Sequence, residues 1–555
     1  MKKKTSILAA VLLTSHISHL TSLCAQTPYT FQDVTASVGL SGGEKAAWGD
    51  YDNDGWVDVF VSGSVWHNNQ GLSFTLNTVA GIAAGHSGIW GDYNNDGYLD
   101  LFCYTMGSAL YRNNGDGTFT DASANLPLNN LTNGSRGSAW ADLNSDGFID
   151  LYIGGYEIGG STTPPLPDYI YMNNGNGTFS LAWTESPVKN QTRGVTAADY
   201  DEDGDMDIYL SVYRLKANVL WKNNGQGIMT NVAAAAGVQG SPYTTGGYTY
   251  YGHTIGSSWG DMDNDGYIDL FVGNFAHSTF YQDRPMFMKN LGPGANYSFQ
   301  DKSITANLAY QESFASPTLG DYDNDGDLDL YFTTVYPNDR CVLYKNNGNW
   351  AFSNVTTASG LAGIKETYMG AWADFNNDGC LDLMTQGRLY KNLSGGTNHY
   401  LKIKLIGDGT ACNKSAIGAK ALINNNGQIL FRQVESATGE GNENDLTLHF
   451  GLGTAPASTV TIVVTWPEGD MQQYVTSIDT LITITHTLLP VDAGVKSIIY
   501  PSGTLCTAFT PVIRLRNFGL DTLTSCIVNY QVDAATVQAY NWTGKLPSLT
   551  TTTVT

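Results

Sequence analysis

Asp50-Tyr51-Asp52-Asn53-Asp54-Gly55-Trp56-Val57-Asp58 is the first of seven stretches that share one spacing, D-x-[DN]-x-D-G-x-x-D. The others run Asp92–Asp100, Asp142–Asp150, Asp199–Asp207, Asp261–Asp269, Asp321–Asp329 and Asp374–Asp382. Their first aspartates lie 42, 50, 57, 62, 60 and 53 residues apart. A repeat of about 50 residues marks a chain built from one recurring supersecondary unit, and this length suits four strands plus insertions.

The flanks of each stretch repeat as well. A short apolar run ends in Trp before the acidic segment, at Trp48, Trp90, Trp140, Trp259 and Trp372, with Ala197 and Leu319 in the other two units. A β-rich run follows, such as Val57-Asp58-Val59-Phe60-Val61. Then comes an aromatic residue before an Asn-rich turn, as in Tyr111-Arg112-Asn113-Asn114-Gly115. Asn-Gly and Asp-Gly favour hairpin turns, whose central residues need positive φ. Fourth strands are expected near Phe74, Phe119, Phe179, Met229, Phe299 and Phe352. The seventh unit has none after Leu389-Tyr390-Lys391-Asn392, yet Phe31-Gln32-Asp33-Val34 precedes the first unit and nearly duplicates Phe299-Gln300-Asp301. The N-terminal strand is therefore expected to complete unit seven and close the ring, which removes an open sheet edge.

The acidic segment fits a hard cation. Calcium takes six to eight oxygens, and alternate side chains converge when the chain curls. Positions 1, 3, 5 and 9 supply side chains: Asp50, Asp52, Asp54 and Asp58; Asp92, Asn94, Asp96 and Asp100; Asp142, Asn144, Asp146 and Asp150; Asp199, Asp201, Asp203 and Asp207; Asp261, Asp263, Asp265 and Asp269; Asp321, Asp323, Asp325 and Asp329; Asp374, Asn376, Asp378 and Asp382. Position 7 offers a carbonyl, from Trp56, Tyr98, Phe148, Asp205, Tyr267, Asp327 and Cys380. Asn at position 3 removes one charge from three sites. An EF-hand is excluded: position 12 should be Glu between helices, and it is Val61 and Val272 inside β-rich runs. Solvated turn acids would account for one copy but not for seven with a fixed spacing.

These units resemble the FG-GAP/VCBS repeats, blades also seen in the propellers of integrin α-subunits, over residues 28–397. The resemblance implies structural calcium on the residues just named. Past them, Ile417-Gly418-Ala419-Lys420, Leu448-His449-Phe450-Gly451-Leu452-Gly453 and Trp466-Pro467-Glu468-Gly469 resemble the ASPIC/UnbV domain, and the pairing is similar to the cartilage acidic protein family. That implies a small β domain in an extracellular binding setting. His449 reads as a packed or surface residue. Residues 489–555 loosely resemble an immunoglobulin-like adhesion module, ending inside a strand-like run at Thr555. Leu488-Leu489-Pro490 reads as a linker, which makes the tail separable.

Composition agrees. The 555 residues include 62 Gly and 32 Tyr with only 14% charged residues, which suits turn-rich β structure. The formal charge of −23 disfavours nucleic acid and anionic lipid as partners. Lys2 to Lys4, an apolar run from Ile7 to Leu13 and Leu23-Cys24-Ala25 read as a secretory signal over residues 1–25. Lipid attachment at Cys24 is disfavoured by bulky Leu23. No C-x-x-C pair points to zinc; Cys506 and Cys526 are a candidate disulfide.

No catalytic set emerges. Gly256-Ser257-Ser258-Trp259-Gly260 matches G-x-S-x-G but lacks the strand-to-helix elbow; Ser258 fills a strand position held elsewhere by Ala47 and Ile89. The expectation is an all-β chain: signal at 1–25, a seven-bladed calcium-binding propeller at 26–397, a small β domain at 398–488 and an immunoglobulin-like domain at 489–555. Its role is a secreted or cell-surface, non-catalytic platform for a protein or glycan, with up to seven structural Ca²⁺ and possible surface attachment through sequence beyond 555. The alternative is a calcium-dependent carbohydrate-active enzyme. The insertions Gly154 to Asp168 and Gln239 to Thr254, the second rich in tyrosine, are the candidate ligand loops.

Overall fold

The computed structural model describes residues 29–555 except 79, 83–86, 106, 128–133, 158–164, 187–188, 276–283, 307, 309–310, 394–396, 501–509 and 532–536. The signal segment, Cys24, Cys506 and part of the first ligand-loop candidate lie outside the described residues.

Seven four-stranded antiparallel sheets carry the repeats. Sheet one comprises Ala46–Gly49, Asp58–Val61, Ser64–Asn68 and Phe74–Leu76. Sheets two to six repeat this order, with first strands Ser87–Gly91, Ser135–Ala141, Thr192–Ala198, His253–Gly260 and Phe314–Gly320. Sheet seven takes Ala371–Ala373, Asp382–Thr385 and Arg388–Asn392 from the end of the repeats and Phe31–Asp33 from their beginning. Phe31 pairs with Asn392 and Asp33 with Tyr390, as the duplicate of Phe299-Gln300-Asp301 indicated.

Consecutive sheets meet through their first strands, and the first strand of sheet seven meets that of sheet one. The grammar of the repeat explains the packing. Trp48, Trp90, Trp140 and Trp372 are buried. A Cβ on Gly49 would come within 2.8 Å of the Trp90 ring, and one on Gly91 within 2.8 Å of Trp140. The glycine after the Trp thus seats the next unit's Trp, and Gly260, whose next unit has Leu319 in that place, meets Leu319 and Leu328 instead.

An asparagine at the end of each third strand links neighbouring sheets. Its Nδ2 donates to the carbonyl of loop position 2 one sheet back. Asn113 reaches Tyr51, Asn173 reaches Tyr93 and Asn223 reaches Leu143. Asn290 reaches Tyr200, Asn346 reaches Met262 and Asn392 reaches Tyr322. Asn68 reaches Phe375 of sheet seven at 2.8 Å, so the series returns to its start. The arrangement is consistent with a β-propeller-like fold.

The next region forms a mixed three-stranded sheet, Leu448–Gly453, His399–Ile406 and Thr480–Thr485, and a four-stranded sheet, Gln428–Gln433, Lys420–Asn425, Thr459–Thr465 and Met471–Ser477. The change of sequence pattern at 398 is not a break in the core. One apolar cluster holds Trp140 and Ile208 together with Leu401, Phe450 and Trp466. Between Gln433 and Leu448 the chain runs through the middle of the ring. Residues 436–444 touch the first strand of every one of the seven sheets. Glu443 N donates to Ala46 O at 3.0 Å, and its carboxylate accepts from Trp90 N at 2.7 Å. Ser436 Oγ accepts from Trp140 N, and Glu440 Oε1 from Arg193 Nε at 2.7 Å. Gly439 N donates to Ser257 O, Glu440 N to Ser316 Oγ, and Trp372 N to Asn444 Oδ1.

The last region has a three-stranded sheet, Ala493–Tyr500, Val512–Asn517 and Thr551–Val554, and the pair Leu523–Tyr530 with Gln538–Leu546. Among the described residues no helix is long and apolar enough to cross a membrane.

Candidate metal centre

Each acidic stretch is a loop between the first and second strands of its sheet. Two backbone features curl it. Position 4 takes a left-handed conformation, with φ of 60° at Asn53, 56° at Asn95 and 55° at Asn264, and the next-but-one Gly follows at 88° at Gly55. Asn tolerates positive φ better than most residues, which accounts for its frequency at position 4. The position 1 carboxylate then accepts from the backbone N–H groups of positions 5 and 6. Asp321 does so from Asp325 at 3.1 Å and from Gly326 at 2.9 Å. Position 5 caps the N–H of position 7, as Asp54 does for Trp56 at 2.9 Å.

The structure brings the named ligands together. Carboxylate oxygens of Asp50, Asp52 and Asp58 lie within 4.8 Å of one another, as do those of Asp199, Asp201 and Asp203 and those of Asp261, Asp263 and Asp265. Position 9 is the most buried: Asp58, Asp100, Asp150, Asp269, Asp329 and Asp382 have no solvent exposure. Its two oxygens accept from position 2 and from the linking Asn, at 3.2 and 2.7 Å for Asp58. Burial first, then the neighbouring Asp52 and Asp50 carboxylates, pushes Asp58 up to about 9. Asp92 is pushed up to about 7, chiefly by burial.

The donor set fits a hard cation. Oδ1 of Asp199, Asp201, Asp263 and Asp323 and Oδ2 of Asp207 are buried without a hydrogen-bond partner. Buried carboxylate oxygens are costly unless paired, and a divalent ion held by oxygens answers several at once. Lysines answer some. Lys222 contacts Asp201 and Asp203, Lys289 contacts Asp263 and Asp265, and Lys345 contacts Asp323 and Asp325. His67 Nδ1 stands 3.0 Å from Asp52 Oδ2 in the first loop. The position 7 acids turn elsewhere: Asp205 to Lys496 at 3.1 Å, and Asp327 to Asn264 at 2.6 Å.

The region after residue 398 grips the same loops. Lys402 Nζ lies 2.8 Å from Asp374, Lys404 Nζ 2.8 Å from Asp50 and Lys420 Nζ 2.7 Å from Asp199. Gly451 N donates to Asp321 Oδ2 at 3.0 Å. His449 is packed, its Nε2 3.2 Å from the Gly379 carbonyl. Loop side chains thus meet this region as well as one another. That contact and the linking asparagines are absent from the sequence reading. The recurrence of Asn at the end of every third strand was the one signal available for them.

The opposite ends of the first strands carry different chemistry. Arg193 lies over the rings of Tyr156, Tyr213 and Tyr368, at 5.4, 5.3 and 5.1 Å. The tyrosine-rich insertion forms a hairpin, Tyr243–Thr245 with Tyr248–Tyr250, and Tyr248 is 69% exposed. Ser258 is buried in its strand, Oγ 3.1 Å from Thr438 Oγ1.

An FG-GAP-like repeat model matches residues 50–103, 92–153, 159–210, 261–332 and 321–385, together more than half of the chain, and an ASPIC and UnbV model matches residues 409–488. Cartilage acidic protein 1 of Mus musculus is 24% identical over 292 residues, covering 50% of this chain and 42% of that protein. Its Homo sapiens counterpart is 25% identical over 271 residues, covering 46% and 38%. The chain therefore spans less than half the length of these curated relatives. Among solved structures, the Tc holotoxin pore of Photorhabdus luminescens aligns at 13% identity with a TM-score of 0.31, covering 79% of this chain and 20% of that one.

Proposed function

The chain belongs to the FG-GAP-like repeat family, its repeats followed by an ASPIC and UnbV domain, and from that premise we propose that it is a secreted or cell-surface seven-bladed β-propeller that binds a protein or glycan without catalysis. Calcium in up to seven loops fixes the blades in this reading. The partnerless buried oxygens of Asp199, Asp201, Asp263 and Asp323 support it.

The observation that carries the binding role is the difference in occupancy between the ring's two ends. The loop end meets Lys402, Lys404 and Lys420, and residues 436–444 fill the middle. Recognition falls to the other end, where the Tyr243–Tyr250 hairpin projects. Tyrosine supplies contact area at low entropic cost. A glycan array and an extracellular-protein pull-down, each run in calcium and in chelator, test the reading. Tyr248→Ala combined with Tyr250→Ala and Tyr251→Ala should abolish capture while leaving the melting temperature in place. Unchanged capture by the folded triple variant would remove the hairpin as the site.

A further inference from the structure

A second group of charged side chains, made of residues outside the seven loops, lies in the region after residue 398. Asp408 follows the strand His399–Ile406, and His486 follows Thr480–Thr485. Glu468 and Asp470 occupy the turn between Thr459–Thr465 and Met471–Ser477. That turn is held shut by Trp466 N donating to Asp470 O and Gly469 N to Trp466 O, both at 2.8 Å. The His486 side chain has no exposure and packs on Trp466 with ring centroids 4.8 Å apart.

The imidazole faces carboxylates on both sides. Nδ1 lies 2.5 Å from Asp408 Oδ2. Nε2 lies 3.0 Å from Glu468 Oε1 and 3.2 Å from Asp470 Oδ2. A ring nitrogen holds at most one proton, so even an imidazolium cannot serve both carboxylates at Nε2. Asp470 has other donors, Met471 N and Gln472 Nε2, each at 2.8 Å. Glu468 has none: it is 2% exposed, and neither of its oxygens accepts a hydrogen bond from another residue. Its approach to Nε2 satisfies distance but not direction. Arg516 lends Glu468 a favourable charge without bonding to it. A buried carboxylate aimed at an imidazole nitrogen and a second carboxylate has the composition of a cation's ligand set.

The spacing agrees. Ligand atoms on a tetrahedral ion with bonds of about 2.0–2.1 Å sit about 3.3 Å apart, near the 3.0 and 3.2 Å measured at Nε2. With Asp408 holding a proton on Nδ1, an ion displacing the proton from Nε2 would meet its lone pair, the usual carboxylate–histidine support of a metal ligand. We propose that His486 Nε2, Glu468 and Asp470 bind one divalent cation of the zinc class, with Asp408 orienting the imidazole. A nitrogen ligand among carboxylates favours such an ion over calcium, which takes oxygens.

The test uses the tag-free full chain, stripped with chelator, reloaded with excess calcium and then titrated with zinc. The wild type should retain one zinc equivalent that Glu468→Gln combined with Asp470→Asn does not, at unchanged circular dichroism. Asp408→Asn should weaken it about 10–100-fold. His67→Ala controls for zinc held by the first loop and should leave the equivalent in place. Should the double variant fold poorly, anomalous diffraction at the zinc edge on wild-type crystals locates the ion directly. No zinc retained by the calcium-loaded wild type, equal retention by the double variant, or an anomalous peak only at His67 would each overturn the proposal.

Discussion

The two ends of the ring solve opposite problems. At the loop end, seven clusters of three or four carboxylates repel one another, and the chain offsets the repulsion with lysines from its own third strands and from the region after residue 398. At the other end the charges are paired: Arg214 meets Glu157 at 2.8 Å, and Arg193 rests among Tyr156, Tyr213 and Tyr368. Glu440 spans the two. It enters with the residues that fill the ring and ends against Arg193 and Lys45. Burial alone would raise its pKa, but Arg193 and Lys45 outweigh that and hold it below the usual range. The comparison teaches that one end spreads many carboxylates over seven loops and answers them with outside cations, whereas the other confines its buried charge to a few closely paired groups.

Removing divalent ions should break the charged end most severely. A site of ~0.1 mM affinity in ~1 mM calcium contributes about 1.4 kcal/mol, and seven together on the order of 10 kcal/mol. Scanning calorimetry with and without chelator should show a large fall in melting temperature. An unchanged value would end the structural-calcium reading.

Glu440→Ala comes next. It leaves Arg193 and Lys45 buried without their partner, a loss of about 3–5 kcal/mol measurable by urea unfolding. Restoring about half of that loss with Arg193→Ala in the same chain would assign the effect to the ion pair. No restoration would assign it to packing.

Asn346→Ala should cost about 1–3 kcal/mol, because it strips a bond from the buried carbonyls of Met262 and Leu328. The same change at Asn347, which bonds exposed residues of its own hairpin, should cost much less. Equal costs would show that the linking asparagines are turn residues only.

The smallest effect on stability belongs to the exposed hairpin. Tyr248→Ala should move the unfolding free energy by less than about 0.5 kcal/mol while weakening ligand capture. A large loss of stability would mean that the hairpin is structural and would erase the contrast between the ends.

The sheets were legible because their signals are local and repeated. Phe31-Gln32-Asp33 could be matched to Arg388–Asn392 because a duplicate, Phe299-Gln300-Asp301, showed what a fourth strand looks like. The loop ligands were legible for the same reason. The stretch Ser436-Ala437-Thr438-Gly439-Glu440-Gly441-Asn442-Glu443-Asn444 was not. It is short, polar and without period, and that composition ordinarily marks a surface loop. Here its backbone groups are satisfied by strands far away in the sequence. Nothing local distinguishes the two cases. The charged group around His486 was missed likewise, because Asp408, the turn at Glu468 and His486 meet only after the two sheets have formed.

The pairing of Phe31 with Asn392 also sets a timetable. About 360 residues separate the two partners, and a ribosome adding 5–20 residues per second needs roughly 20–70 s to supply the second. For that interval the first strand exists without its sheet. Residues 436–444 emerge later still, so the ring must be complete, or still open enough, when they arrive. A neighbouring copy's waiting strand has the same sequence and fits the same edge. Crowded synthesis would therefore favour exchanged pairs of rings, and the yield of single rings should rise as the growing chains are diluted.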